Sequence, residues 1–257
     1  MKKLRKAMVL VIMLLYSCSK SEYPGHGQQG PGDTVLSKAP EVPLDTSQVA
    51  GVFLMKKVNV LTEVWVWIYN DQHTAYLPLD TVLFNGFSCK EGFFWPSNNI
   101  ILYPENLYHT ENVRDVTYYL NYRIDSSVRW QAKSEGNAIN IDYEQTGVFP
   151  AYSDSMSTTM NISTGLTFNF DSLHLVGADS IQLTFGNNAD SLTRTFEAKQ
   201  GMVNISYPEL AFLLKGQEAF AGYFKYTAYK LSVQYIGGRN YAFIKEQSKG
   251  ISVTYVK

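Results

Sequence analysis

The chain has 257 residues, of which 14% are aromatic and only 18% are charged, with 22 basic against 23 acidic side chains. This composition is too apolar and too aromatic for a disordered protein, and two cysteines cannot form a disulfide framework. The balanced charge lacks the basic footprint of a nucleic-acid-binding protein, so we expect no nucleic-acid partner.

The N-terminus has the parts of a bacterial export signal. Residues 1–17 carry four basic side chains and no acidic one, and an apolar run from Ala7 to Leu15 follows the basic part. This run is too short to span a membrane, which indicates a secretory signal peptide over 1–17. Its removal leaves 18 basic against 23 acidic side chains, a net charge of -5.

Cys18 lies at the end of this signal. The segment Leu15-Tyr16-Ser17-Cys18 resembles a bacterial lipobox, in which the cysteine is lipidated and becomes the mature N-terminus. Tyr16 departs from the small or β-branched residue that is usual there. The resemblance implies that lipid at Cys18 attaches the protein to a membrane, at about 0.8 kcal/mol per buried CH2. Residues 18–46 contain many Gly, Pro, Ser and Gln residues, which predicts a flexible tether.

Alternating side chains predict β-strands in the first half of the body. In the predicted strand from Val58 to Tyr69, one face carries Val64, Val66 and Ile68, and the other carries Trp65, Trp67 and Tyr69. Further strands are expected over 75–84, 100–103, 116–124 and 138–143. The following stretch, 144–161, has little apolar periodicity and predicts a linker or domain boundary.

The second half repeats the strand-and-turn pattern without repeating the residues. Strands are expected over 162–170, 180–185, 193–198, 202–205, 225–235, 239–244 and 251–256. Ser206 and Glu209 have the spacing of a capping box, which predicts a short helix after Ser206. We therefore expect an all-β protein with two tandem antiparallel β-sandwich (Ig-like) domains, 47–146 and 158–257.

Candidate catalytic and metal-binding residues form no recognisable pattern. The histidines at 26, 73, 109 and 174 lack metal-site spacing, and no G-x-S-x-G segment is present. The carboxylates of Asp115, Asp125, Asp142 and Glu144 define no pair of the kind that glycoside hydrolases use. Cys89 is either a reactive thiol or a small buried apolar residue. We expect no catalytic residue, no metal and no cofactor.

The aromatic surplus has two interpretations. Trp65, Trp67 and Tyr69 on one strand face form either an exposed platform that binds a glycan or a partner protein, or part of a sandwich core. Aromatic residues favour strands and pair across them in any β protein, which supports the core interpretation. The burial of the two tryptophans would distinguish the platform interpretation from the core interpretation.

A short motif recurs along the chain, in which Asp precedes Ser or Thr and an apolar residue follows. It resembles the O-glycosylation sequon of exported Bacteroidetes proteins, although Asp-Ser and Asp-Thr also occur in ordinary turns. The resemblance implies candidate O-glycosylation at Thr34, Thr81, Ser155, Ser172, Ser180 and Ser191.

The lipobox, the tether and the β-rich body together resemble the envelope lipoproteins of Bacteroidetes. The segments GLTFNFDSLHLVGADSIQLTFG, SYPELAFL and GGRNYAFI are similar to C-terminal β domains of such proteins. The resemblance implies an outer-membrane lipoprotein on the periplasmic or surface side.

The expected function is that of a non-catalytic, lipid-anchored binding protein whose partner is a polysaccharide or an envelope protein, with glycan as the first ligand class. The alternative is a fimbria-associated or adhesin-like component that pairs through a sheet edge. An unpaired, uncharged edge strand would favour this alternative. An envelope hydrolase is a third hypothesis, and it requires a cleft with converging catalytic groups.

Overall fold

A computed structural model describes residues 35–36, 39–58, 61–91, 101–102, 107–109, 127–152, 157–169 and 175–257. Strands dominate these ranges, which confirms the predicted all-β class. The predictions for the signal peptide 1–17 and for Cys18, Thr34, Ser155 and Ser172 lie outside the described residues.

The strands of the first half are β1 (Val35–Leu36), β2 (Gly51–Val58), β3 (Leu61–Ile68), β4 (Thr81–Phe84), β5 (Phe87–Ser88), β6 (Lys90–Glu91), β7 (Ile101–Leu102), β8 (Tyr108–His109), β9 (Ser127–Lys133) and β10 (Asn140–Thr146). Those of the second half are β11 (Ala151–Tyr152), β12 (Thr159–Asn161), β13 (Leu166–Asn169), β14 (Leu175–Val176), β15 (Ser180–Gly186), β16 (Ser191–Glu197), β17 (Met202–Ile205), β18 (Ala219–Ile236) and β19 (Arg239–Val256). The helix α1 covers Tyr207–Leu210 and continues as a 3-10 turn over Ala211–Leu214.

A nine-stranded sheet forms the centre of the described fold. Its strand order is β16-β15-β18-β19-β2-β3-β8-β6, with β12 paired to the end of β19. The 18-residue strands β18 and β19 form one antiparallel hairpin that closes at Gly237-Gly238, where both glycines have positive φ. Because β2 and β12 run parallel to β19, the sheet is mixed rather than purely antiparallel.

Two hydrophobic cores lie side by side on one face of this sheet. We call the face that carries Phe53, Phe243 and Phe224 the inner face, and the opposite one the outer face. The first core contains Phe53 and Phe243 and is covered by the four-stranded sheet β10-β9-β4-β5. The second core contains Phe224 and is covered by the β13–β17 pair and by Leu210, Leu213 and Leu214 of the helical segment. The hairpin thus contributes to both cores, and the division into two tandem domains stays a prediction.

The helix begins as the sequence predicts. The Ser206 backbone N–H donates to the Glu209 carboxylate at 3.0 Å, and the Arg194 guanidinium donates to it at 3.0 Å. The Ser206 hydroxyl, its backbone N–H and Arg194 together hold the pKa of Glu209 below its usual value. The helix is a single turn whose leucines seal the second core.

The outer face is partly covered by residues that the sequence assigns to the tether. Ala39, Val42 and Leu44 pack against a third cluster on this face, which includes Leu54 and Ile244. The predicted tether 18–46 is therefore wrong at its C-terminal end, because residues 39–46 belong to the folded body. Their spaced apolar side chains cover sheet surface that would otherwise face water.

Two strand predictions also need correction. β19 is continuous through the polar stretch 245–250, where the sequence predicts a break, because Glu246 and Ser248 are buried in the sheet. β2 was not predicted, because its apolar run Val52–Met55 is buried on both faces and shows no alternation. No helix in the described part of the chain has the length and apolar character needed to cross a bilayer.

Candidate functional site

The predicted aromatic platform is wrong for Trp67. Only 1% of Trp67 is exposed, and its indole N–H donates to the Tyr69 hydroxyl at 2.9 Å. The ring packs against Leu54 and Ile244 in the outer-face cluster, while Val64 and its alternating neighbours fill the first core. Strand β3 lies between β2 and β8 and is covered on both faces, so Trp67 has no surface for a ligand.

The other two platform residues are half-buried at the edge of the same cluster. The Trp65 ring lies 5.1 Å from the His109 ring. The Tyr69 ring stacks on the exposed His73 at 4.8 Å and lies 5.5 Å from Tyr76. The three residues therefore share one face as predicted, but Tyr69 is the member that belongs to a partly exposed aromatic group.

Three of the predicted glycosylation sites are described, and each is the first residue of a strand. Thr81 and Ser191 are exposed, and Ser180 is half-buried. The preceding Asp179 has a structural role, since its carboxylate accepts the backbone N–H of Leu231 at 2.7 Å. The motif thus coincides with strand starts in the described residues, and glycosylation stays a prediction.

Two of the candidate catalytic carboxylates are described, Asp142 and Glu144, and both lie beside Arg129. Asp142 forms an exposed ion pair with Arg129, at 2.7 Å from Nε, and this hydrogen bond lowers the Asp142 pKa. Glu144 is exposed on β10, and Asp115 and Asp125 lie outside the described residues. Within the described ranges, no three His, Cys, Asp or Glu side chains cluster as a metal site.

Cys89 is buried in the first core, as the apolar interpretation predicts. Burial raises the pKa of its thiol to about 12, so the neutral form dominates near neutral pH. Because the thiolate is the reactive form, the buried thiol has little nucleophilic character.

The outer edge of β18 offers a different kind of site. β15 pairs with β18 only from Tyr223 to Tyr229. Beyond this point, no strand in the described part of the chain pairs with that side of residues 231–236. We call residues 231–236 the open edge.

The backbone groups of the open edge alternate in direction. The Tyr229 carbonyl accepts the N–H of Asp179 at 2.7 Å, and the Leu231 N–H donates to the Asp179 carboxylate. In an antiparallel strand, the N–H and C=O of one residue point to the same side, so those of Val233 and Tyr235 also point outward. Asp179 caps the beginning of the edge and leaves these later groups for another strand.

The side chains of the open edge are uncharged, and two of them are strongly exposed. Val233 is 48% exposed and Tyr235 is 74% exposed, both on the outer face. By contrast, the sheet's terminal strand β16 carries Arg194 and Glu197, charges that discourage pairing with another strand. Sequence reasoning predicted strand 225–235 but missed its open side, because an edge depends on which distant strands pair with it.

Comparison with known proteins assigns no family. No protein-family model matches the chain, and a search of curated proteins gives no match.

Proposed function

We propose that this chain is a non-catalytic, lipid-anchored binding protein of the bacterial cell envelope, and that it binds another protein by strand addition at the open edge. The observation that carries this proposal is the uncharged stretch 231–236 of β18, whose side away from β19 has no strand partner among the residues that the structure describes. The export signal and lipobox resemblance support attachment through Cys18 to the outer membrane. Burial of the Cys89 thiol removes one candidate catalytic nucleophile.

The partner segment is an extended, uncharged strand. Its main chain pairs with the outward N–H and C=O groups of Val233 and Tyr235, which supply affinity. Its alternate side chains contact the exposed surfaces of the same two residues, which supply specificity. A charged partner segment would lose hydration here without gaining an opposite charge, so an apolar strand is favoured.

Site-specific photo-cross-linking in the native host tests this proposal. A photoreactive amino acid replaces Tyr235, and the cross-linked protein is identified by mass spectrometry. We expect one discrete protein adduct that disappears with Val233→Lys, because a lysine on the edge opposes strand pairing. Thr193→Lys on β16 is the matched control and should leave the adduct unchanged.

Two results would contradict the proposal. The first is the absence of any adduct that depends on Val233. The second is an adduct formed between two copies of this chain, which would show that the open edge mediates self-association and not binding to a different protein.

Glycan binding is the second candidate, and the stack of Tyr69 on His73 favours it. The loop that holds this stack lies beside the hairpin tip, where Asp71 binds Arg239 at 2.9 Å. Electrophoresis through polysaccharide-containing gels tests it: Tyr69→Ala should abolish retardation, while Thr193→Ala should not. Equal mobility of both variants and the wild type, with and without polysaccharide, would exclude this candidate for the polysaccharides used.

A further inference from the structure

A row of lysines crosses the inner face between the two cores. Lys230 of β18 lies directly opposite Lys245 of β19, and Lys57 of β2 lies opposite Gln247, the next inner-face residue of β19. Since neighbouring strands lie about 4.8 Å apart, the three lysines occupy a strip about 10 Å wide. Like charges directly opposite one another destabilise a sheet, so this arrangement requires an explanation.

The partners of these lysines in the described residues are neutral. Lys245 is 0% exposed; its ammonium donates to the Gly147 carbonyl and lies 5.8 Å from the centre of the Phe149 ring. The Lys57 ammonium lies 5.7 Å from the centre of the same ring. Lys230 donates to a backbone carbonyl, that of Gly177, at 3.4 Å.

The lysines on the outer face of the same sheet differ from these because carboxylates lie near them. There, the Lys56 ammonium lies 3.8 Å from the buried carboxylate of Glu246. Glu246 and Glu41 also oppose the lowering of the Lys225 pKa by burial. On the inner face, none of Lys57, Lys230 and Lys245 forms an ion pair within the described ranges.

The consequence is a concentration of positive charge without a counter-charge in the described residues. Burial, with a further contribution from Lys230, lowers the pKa of Lys245 to about 8. Below that pH the strip carries three positive charges, one of them removed from solvent. A buried or crowded charge is costly unless an opposite charge accompanies it.

We propose that this strip binds a tetrahedral oxyanion of the phosphate monoester class. Lys57 and Lys230 are half-buried and contact the anion, while Lys245 contributes positive potential from beneath. Separate ammonium groups act as point charges and suit a dianionic phosphate, whereas a planar carboxylate is better matched by an arginine fork. The site lies on a different face from the exposed side chains of the open edge, and it is independent of the strand-addition proposal.

Calorimetric titration of the full chain with inorganic phosphate at low ionic strength tests this site. We expect saturable binding, weakened at least fivefold by Lys230→Gln and by Lys57→Gln. Lys199→Gln is the matched control, because it removes one positive charge from an exposed ion pair elsewhere, and binding should stay within twofold of wild type.

Three outcomes would overturn the inference. They are equal heats for phosphate and for chloride at matched ionic strength, unchanged affinity in both strip variants, and equal weakening in all three variants. Near-UV circular dichroism verifies that each variant is folded. If Lys230→Gln perturbs the fold, Lys57→Gln decides the question.

Two further measurements distinguish the sources of the phosphate group. Titration with glucose 6-phosphate tests a soluble phosphate monoester, and flotation with phosphatidic acid against phosphatidylcholine vesicles tests a lipid headgroup that is a phosphate monoester. Binding that is weakened by Lys230→Gln in either measurement supports the site with that source. Absence of Lys230-dependent binding in both overturns the phosphate monoester assignment.

Discussion

The two ends of the β18–β19 hairpin have the same backbone geometry and opposite surroundings. At its base, β18 pairs with β15 as well as β19, and Phe224 and Tyr255 are buried in the second core. At its tip, the side of β18 away from β19 has no strand partner in the described residues, and Val233 and Tyr235 are exposed. The same hairpin therefore stabilises the fold at one end and presents a pairing surface at the other.

The edge strand β16 and the open edge of β18 also differ in charge. Natural sheets discourage pairing with other chains by placing charges on their edges. β16 follows this rule with Arg194 and Glu197, and Asp179 caps the first outward N–H of the open edge. The remainder of the open edge lacks charge, which is what a strand-addition site requires.

The largest expected effect is in the cores that the hairpin supports. Phe243→Ala in the first core and Phe224→Ala in the second should each destabilise the protein by about 3 to 5 kcal/mol, because each leaves a cavity among packed rings. Urea unfolding followed by tryptophan fluorescence and circular dichroism measures this. We expect one transition by both probes, since the hairpin links the cores. Two transitions, each shifted by only one of the variants, would show that the halves unfold independently.

A comparably large effect is expected on β3. Trp67→Ala should cost about 3 to 4 kcal/mol, because the ring is buried and its N–H is bonded to Tyr69. Urea midpoints of this variant and of Trp65→Ala, the half-buried neighbour, provide the comparison. A smaller loss for Trp67→Ala than for Trp65→Ala would contradict the assignment of Trp67 to the core.

A moderate, pH-dependent effect is expected where the two cores meet. The pKa of Lys245 is lower in the folded protein than in the unfolded chain, so the unfolded chain binds more protons between about pH 8 and 10. The unfolding free energy of the wild type, relative to Lys245→Met, should therefore rise by about 1 to 2 kcal/mol over this range.

Measuring the difference between two proteins cancels the titration of Cys89, whose raised pKa acts in the opposite direction. Denaturant unfolding at pH 7, 8, 9 and 10 provides the data. A difference that stays constant with pH, or that falls, would refute the assignment of this lowered pKa to Lys245.

The smallest effect is expected at the tip. Tyr235→Ala should change the unfolding free energy by less than about 0.5 kcal/mol, because the ring is mostly in solvent. In the cross-linking experiment, with the photoreactive residue moved to Val233, the same substitution should reduce the adduct severalfold. A loss of stability comparable to that of Phe243→Ala would show that the tip is part of the core.

Local patterns predicted part of this fold and little of the site. The two faces of β3 follow from its alternation, and the helix start follows from the spacing of Ser206 and Glu209. The continuity of β19 through its polar centre was not predictable, because buried Glu246 and Ser248 look like exposed loop residues in the sequence. In the folded protein, the Ser248 hydroxyl donates to the Glu246 carboxylate at 2.8 Å and lies 3.0 Å from the hydroxyl of Thr227 on the neighbouring strand.

The amino-acid sequence alone determined the all-β class, the strand periods and the turn between the strands predicted over 225–235 and 239–244. These features depend on neighbouring residues, whose side-chain alternation and allowed φ values are local properties. Only the tertiary structure decided that Trp67 is covered, that the open edge of β18 lacks a strand partner in the described residues, and that Lys57, Lys230 and Lys245 share one strip. Each of these depends on strands from distant parts of the chain, and pairing between distant strands follows from the packing of the whole sheet.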